Sequence, residues 1–277
     1  MNSGILASLL HILRDRRKKT VFADQTRRVS VDFEIARDKP EFTRVVRDIQ
    51  EFMLSRMLAN LRYLNQSRRF IELGAGVIPM SSWRPDIVST DIVDSAHLDG
   101  VLDATRLDLI DESVDGLFLQ NTFHHIPDPA AFFSEAMRVL IPGGRIVIID
   151  PYYNLISAAL YKRLFETEVF DMGGDWDDAS SHAMIGANQA LSYIVFVRDR
   201  ERFNSENPGF SITETHPLRN GLRYLLTGGL NFRRIAPRWL FPILTKFESH
   251  LAIFNLFSIH WVVVLEKIDT RTDEQEI

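Results

Sequence analysis

Apolar residues along the chain follow two different periods, and the change from one to the other falls near residue 70. Within residues 1–67 they recur every three or four positions: Phe42, Val45, Val46, Ile49, Phe52, Met53, Met57 and Leu61 share one side of a helix. This stretch reads as a helical amino-terminal cover. From Phe70 short apolar runs alternate with helix-compatible segments, the pattern of a parallel sheet wound with crossover helices. The runs predict strands at Phe70 to Leu73, Ile87 to Thr90, Gly100 to Leu102, Gly116 to Leu119 and Arg145 to Ile149, then a sixth at Phe210 to Thr215 and a seventh at His260 to Lys267. Between the fourth and fifth, Ala130, Phe133, Ala136, Met137 and Leu140 form the apolar stripe of a helix over Pro129 to Leu140. Asp128 is its expected N-cap and Pro129 its first-turn proline; Pro142-Gly143-Gly144 is expected to be a tight turn into the next strand.

The alternation then breaks down. Residues 151–209 read as an insertion over the site: Tyr153 to Phe165 helical, Phe170 to His182 acidic and irregular, Ala183 to Val197 an apolar mixture. Residues 210–268 hold the last two strands around a second insertion, Gly221 to Phe257, which Pro237 and Pro242 cut into short helices. Residues 269–277 read as a polar, flexible tail. Without a repeat or a low-complexity linker, the expectation is one α/β domain: a doubly wound, seven-stranded, mostly parallel sheet with its cofactor-binding core at residues 68–150.

Composition narrows the partners. In 277 residues, 37 Asp and Glu against 32 Lys and Arg leave a formal charge of -5, which gives no global reason to bind nucleic acid. The absence of cysteine excludes disulfides, thiolate metal sites and Cys nucleophiles, and suits the cytoplasm. No run reaches the ~20 apolar residues of a spanning helix; the nearest, Leu251 to Leu265, is broken by Asn255, Ser258 and His260. At the amino end, apolar Ile5 to Leu13 precede Arg14, Arg16, Arg17, Lys18 and Lys19, the reverse of a secretory signal. That segment reads as a helix end packing on its own domain, or as a peripheral contact with the inner face of a membrane.

Ligands of such sheets bind where loops leave the carboxyl ends of the strands. The residues there are Glu72, Gly74, Ala75 and Gly76 after the first strand and Asp91 with Ile92 after the second. Asp103 and Ala104 follow the third, Gln120, Asn121, His124 and His125 the fourth, and Asp150, Tyr152 and Tyr153 the fifth. Glycines one residue apart permit a positive-φ turn and a close backbone approach to a ligand. A carboxylate such as Glu72 suits an amino group or a ribose hydroxyl and would repel a pyrophosphate. Asp91 can accept both hydroxyls of a ribose, Asp103 beside the small Ala104 suits an adenine amino group, and Ile92 can cover that ring.

In Ile71-Glu72-Leu73-Gly74-Ala75-Gly76, Thr90-Asp91, Leu102-Asp103-Ala104, Asp111 to Gly116 followed by His124-His125-Ile126-Pro127-Asp128, and Arg138 to Gly144, the chain resembles the class I S-adenosylmethionine-dependent methyltransferases, within the group acting on small molecules, lipids and glycans. The resemblance covers about residues 68 to 150 and the final strand. It implies a Rossmann-like methyltransferase fold and S-adenosyl-L-methionine as cofactor. Glu72 and the Gly74 to Gly76 loop would lie under its methionine part, Asp91 at the ribose, Asp103 and Ala104 at the adenine, and Gln120 and Asn121 at the reactive end. Two departures stand out. Ile78-Pro79 replaces the usual third glycine, and the short stretch from Gly76 to Asp91 is expected to clip the first crossover helix to about two turns. A metal-dependent subgroup places carboxylates where this chain has Asn121 and His124, which speaks against a metal of that type.

In-line transfer from a sulfonium needs chiefly alignment of the nucleophile, and a hydroxyl acceptor gains from a general base. His124 and His182 are the expected catalytic bases; His125, Tyr152 and Tyr153 are expected to shape the acceptor pocket. For His182, beside Asp171, Asp175, Asp177 and Asp178, a solvated loop is the competing reading. The segments Ser192 to Arg200 and Arg223 to Leu230 look like those of bacterial methyltransferases of unassigned substrate. The aromatic and basic segment Arg233 to Phe257 reads as a peripheral membrane contact, a lid or a homodimer interface. The expected reaction is O-methylation of a sugar in a surface-polysaccharide, lipid-linked or nucleotide-linked glycan. The rivals are a quinone, lipid or small-molecule methyltransferase, a non-catalytic partner that only binds the cofactor, and a nicotinamide oxidoreductase.

Overall fold

A computed structural model describes residues 25–59, 69–164, 168–176, 187–248, 250 and 256–269. The basic cluster Arg14 to Lys19, Leu61, Asp177, Asp178, His182 and tail residues 270–277 lie outside these.

Two helices, α1 (Gln25–Asp38) and α2 (Pro40–Leu58), lead into the sheet. The strands are β1 (Phe70–Leu73), β2 (Ile87–Asp91), β3 (Gly100–Val101), β4 (Val114–Gln120), β5 (Leu140–Pro151), β6 (Phe210–Pro217) and β7 (His260–Lys267). Their spatial order is β3-β2-β1-β4-β5-β7-β6. β1 pairs parallel with β2 and β4, β2 with β3, and β4 with β5, whereas β7 runs antiparallel between β5 and β6. This is the expected seven-stranded, mostly parallel sheet.

Period-two alternation assigns the strand residues to two faces. Phe70, Phe118, Val147, Ile149, Val262 and Val264 pack on Val45, Ile49, Met53, Leu54 and Met57 of α2. Ile71, Leu117, Leu119, Ile146, Ile148 and Val263 pack on the other side against Phe132, Phe133 and Ala136 of α3 (Pro129–Val139) and against Phe196 and Phe203 of the first insertion. Both faces are therefore covered, so β4 and β5 read as almost continuous apolar runs. Each fully buried large side chain contributes about 1.5–3 kcal/mol. α2 lies so close to β4 that a Cβ on Gly116 would sit 2.2 Å from Met57 Sδ. The carboxyl end of α2 is held by Arg145, which donates to the carbonyls of Arg56 and Ala59 and pairs with Glu266 at 2.6 Å.

α3 begins as expected: Asp128 accepts from Ala131 N at 2.9 Å and Pro129 occupies the first turn. Two local expectations change. Pro142-Gly143-Gly144 does not interrupt the sheet; it lies inside β5, where the register shifts between Val114 and Gly116 as Val114 faces Leu140 and Gly116 faces Arg145. The first crossover shrinks to one 3-10 turn, Met80–Ser82, instead of two helical turns, because only thirteen positions separate β1 from β2.

The remaining helices are short. They comprise α4 (Leu155–Leu164), α5 (Leu191–Tyr193) running into a π-helical turn (Ile194–Arg198), α6 (Arg200–Glu206), α7 (Gly221–Thr227) and α8 (Leu240–Glu248). Among the described residues no helix is long and apolar enough to cross a membrane.

Candidate functional site

A cavity of about 310 Å³ opens at the carboxyl ends of β1, β2 and β4. Its floor is the glycine turn after β1, where Gly74 and Gly76 have φ of 68° and 58°. Around Gly76 a Cβ would meet no protein atom within 4 Å, whereas at Gly74 it would lie 2.2 Å from Thr122 Cγ2. The second glycine thus leaves room for a ligand, and the first lets the β4 loop close against β1. Thr122 Oγ1 donates to Gly74 O at 3.1 Å across that contact.

Asp91 ends β2 and stands in the wall. Its Oδ2 accepts from Gly76 N at 3.1 Å and its Oδ1 from Val93 N at 3.1 Å, which fixes the carboxylate while leaving lone pairs for a ligand. Asp103 is held likewise, its Oδ1 accepting from Thr105 N at 2.8 Å and Thr105 Oγ1 at 2.7 Å. Asn121 takes φ 53°, a conformation that non-glycine residues rarely adopt, and its N–H donates to Ile149 O at 2.7 Å.

Of the residues expected at the site, Gly74, Ala75, Gly76, Asp91, Ile92, Asp103, Ala104, Gln120, Asn121 and His125 line this cavity. Others stand elsewhere. Glu72 is buried behind the glycine turn, where its Oε2 accepts from Met80 N at 2.7 Å and Ser89 Oγ at 2.6 Å. The side chain of a buried central strand has no path to the crevice, so Glu72 braces the loop from below. His124 is also buried outside the wall, its Nδ1 2.8 Å from Asp150 Oδ1. Tyr152 and Tyr153 are not in the wall either; Tyr153 packs on Tyr193 and Trp261 beneath the first insertion.

The wall also contains residues that the sequence did not single out. Asp32, Phe42 and Val46 come from the amino-terminal helices, and Tyr224 and Leu230 from the second insertion. These two segments meet over the cavity. Lys39 Nζ donates to Gly229 O at 2.8 Å and to Phe232 O, while Arg223 joins Asp48 at 2.6 Å and Glu248 at 2.7 Å. Three carboxylates, Asp32, Asp91 and Asp103, face the cavity, and among the described residues lining it there is no Lys or Arg. Such a wall favours a cationic ligand and disfavours a pyrophosphate.

Burial perturbs the groups around the site. Desolvation pushes the Glu72 carboxyl up to about 7, against the hydrogen bonds from Ser89 and Met80. In the unfolded chain the same carboxyl ionises at its ordinary value. Between these two values the folded state binds the extra proton, so stability is fully present at acid pH and declines as pH rises through about 7. We expect the melting temperature to fall across that window by the equivalent of about 3 kcal/mol, and Glu72→Gln, which keeps both hydrogen bonds, to flatten the decline. Calorimetry from pH 4.5 to 7.5 reads it; an equal slope in both proteins would refute the assignment. His124 behaves differently. Burial works to lower its pKa, but the carboxylates of Asp150 and Glu168 outweigh burial and hold it above the ordinary histidine value. His260 is pushed down to about 3 by burial and by neighbouring His124.

Residues 87–148, from β2 into β5, match a family model described as a methyltransferase domain. No curated protein matches the sequence. Among solved structures the chain is similar to a putative methyltransferase from Bacillus halodurans C-125, at 16% identity over 78% of this chain and 99% of that one, with a TM-score of 0.41. It is similar to the putative methyltransferase bound to a Haloferax volcanii methyltransferase activator, at 15% identity over 85% and 96%, with a TM-score of 0.45. It is also similar to geranyl diphosphate C-methyltransferase from Streptomyces coelicolor A3(2), at 15% identity over 93% and 89%, with a TM-score of 0.46.

Proposed function

We infer that this chain, whose residues 87–148 match a methyltransferase-domain model, is a class I S-adenosylmethionine-dependent methyltransferase and transfers the cofactor's methyl group to a hydroxyl of a sugar in a surface-polysaccharide or lipid-linked glycan. The observation that carries the cofactor reading is the acidic wall of the cavity built on the glycine turn, with no Lys or Arg among the described residues that line it. A sulfonium and an α-ammonium are both positive, so carboxylates attract the cofactor where they would repel a dinucleotide. In this reading Asp91 accepts the ribose hydroxyls, Asp103 and Ala104 receive the adenine, Ile92 covers the ring, and the Gly74 to Gly76 backbone lies along the methionine part. Gln120 and Asn121 then flank the methyl group. The cofactor supplies a carbon already activated for displacement, and the protein supplies orientation and exclusion of water.

For the acceptor, two features support a hydroxyl on a lipid-linked molecule. His125 lines the cavity, with His124 and Glu168 next to it, so titratable groups stand beside the space where a hydroxyl proton must leave. On the outside, Trp239, Ile243 and Phe247 are exposed on and beside α8 with Arg233 and Lys246, a mixture that suits the surface of an anionic membrane. A quinone or other lipid acceptor is the second reading, and the same apolar surface favours it. Incubating the purified protein with radiolabelled cofactor and a panel of glycan lipids, quinones and small metabolites distinguishes them. Label on a sugar hydroxyl supports the first reading, and label only on a quinone or free metabolite rejects it.

A further inference from the structure

Glu168, in the first insertion, meets the two histidines after β4. Glu168 Oε2 lies 4.0 Å from His124 Nε2, and Oε1 lies 4.0 Å from His125 Nε2. One ligand atom from each of the three residues falls within 4.8 Å of the others. The imidazole centroids are 4.3 Å apart with the rings tilted by 38°, and each ring has its Nε2 nearest the carboxylate. Asp150, fully buried, accepts from His124 Nδ1 at 2.8 Å. A carboxylate accepts, so in the neutral imidazole, the form that binds a metal, this bond places the proton on Nδ1 and leaves the Nε2 lone pair facing Glu168.

We propose that His124, His125 and Glu168 form a binding site for one divalent transition-metal ion of the zinc class, beside the methyl-transfer cavity. Two imidazoles and one carboxylate are a catalytic zinc donor set, with coordination positions left over for water or substrate. Bringing the two 4.0 Å carboxylate–imidazole pairs onto one ion at bond lengths of about 2.1 Å needs a contraction of about half an ångström in each, and the two imidazole nitrogens, within 4.8 Å of one another, close by up to about 1.4 Å. Asp150 supplies the outer carboxylate that commonly orients a metal-bound histidine. Charge points the same way. Asp150 is fully buried and Glu168 largely so, and among the described residues neither has a Lys or Arg ion pair; Asp150 Oδ2 accepts no hydrogen bond there, and Gln189 Nε2 donates to Glu168. A cation at this spot neutralises them.

His125 belongs to both the cavity wall and the cluster, so the ion borders the ligand space. Its role rests on the hydroxyl-transfer reading above. An acceptor hydroxyl bound to the ion releases its proton to solvent; the oxygen lone pair forms the O–CH3 bond as the C–S bond breaks, and that bond's electron pair stays on sulfur as the neutral thioether. The binding site itself is tested without turnover. The full-length protein, stripped by dipicolinate and dialysed, is titrated with Co2+ and followed by visible d–d absorption. One equivalent with a four- or five-coordinate spectrum, displaced by Zn2+, is expected. Glu168→Gln should weaken binding at least about 100-fold and Asp150→Asn about 10- to 100-fold. Affinity for S-adenosylhomocysteine, measured by calorimetry on Glu168→Gln, should stay within about threefold, which shows that the variant is folded. Absence of a Co2+ band, or a band that survives Glu168→Gln, overturns the site whatever the acceptor proves to be. A band without any methyl transfer would leave the metal site standing and remove only its role.

Discussion

Replacing Asp91 with alanine is expected to weaken binding of S-adenosylhomocysteine about 100-fold, read by titration calorimetry on the purified protein. The magnitude follows from the number of bonds at stake. A carboxylate that accepts two ribose hydroxyls loses two charge-assisted hydrogen bonds, each contributing about 1.5 kcal/mol or more, and about 2.8 kcal/mol is a factor of 100. Asp91 also accepts from Gly76 N and Val93 N, so part of the loss comes from a loosened glycine turn. Asp91→Asn separates the two contributions: its amide oxygen can still accept one of the backbone bonds, but the charge is gone. If Asp91→Ala binds the nucleoside as tightly as the parent, the cofactor assignment fails at its centre.

The second large effect is expected from a single methyl group. Gly74→Ala places a Cβ 2.2 Å from Thr122 Cγ2 at a residue whose φ is 68°. Left-handed backbone costs an alanine about 1–2 kcal/mol and overpacking about 1–3 kcal/mol, so the sum is about 2–5 kcal/mol. For a domain of this size that lowers the melting temperature by roughly 10 °C. Gly76→Ala separates stability from binding. Its φ is 58°, but the new methyl meets no protein atom and stands in the cavity wall. We expect a melting temperature within a few degrees of the parent and cofactor affinity lowered at least about 10-fold. Thermal denaturation and calorimetry on the two variants check this; equal loss of affinity without loss of stability in both would contradict the geometry.

The parts of the site that could be read from the sequence are those that depend on local backbone chemistry. Glycines after an apolar run, acids ending β2 and preceding Ala104, and Asp128 before Pro129 each carry their conformational reason within a few residues, and all stand where that reason puts them. Glu72 shows where the same reasoning fails. Its position at a strand end suggests the crevice, yet period-two alternation turns its side chain under the loop, where Met80 N and Ser89 Oγ bind it. Tyr152 and Tyr153 were misplaced for a similar reason: their destination depends on Tyr193 and Trp261, which come from other elements. Tertiary contacts between distant segments leave no local signal. Nothing in residues 25–58 announces that Asp32, Phe42 and Val46 would face Tyr224 and Leu230 across one cavity. Glu168 was invisible for the same cause, since its partners lie more than forty positions earlier. The helical cover and second insertion were legible as helices; their joint closure over the ligand space was not.

The position of β7 has a consequence for how this protein is made. The strand closest to the carboxyl end sits inside the sheet, between β5 and β6. A nascent chain emerging from the ribosome can assemble β1 to β5 in sequence, but the long apolar edge of β5 stays unpaired until residues 260–267 arrive, and β6 has no neighbour before then. Such an edge invites pairing with other chains. The interval before residues 260–267 emerge is therefore the one in which chaperone protection matters most, and a chain interrupted anywhere before β7 keeps the β5 edge open to aggregation.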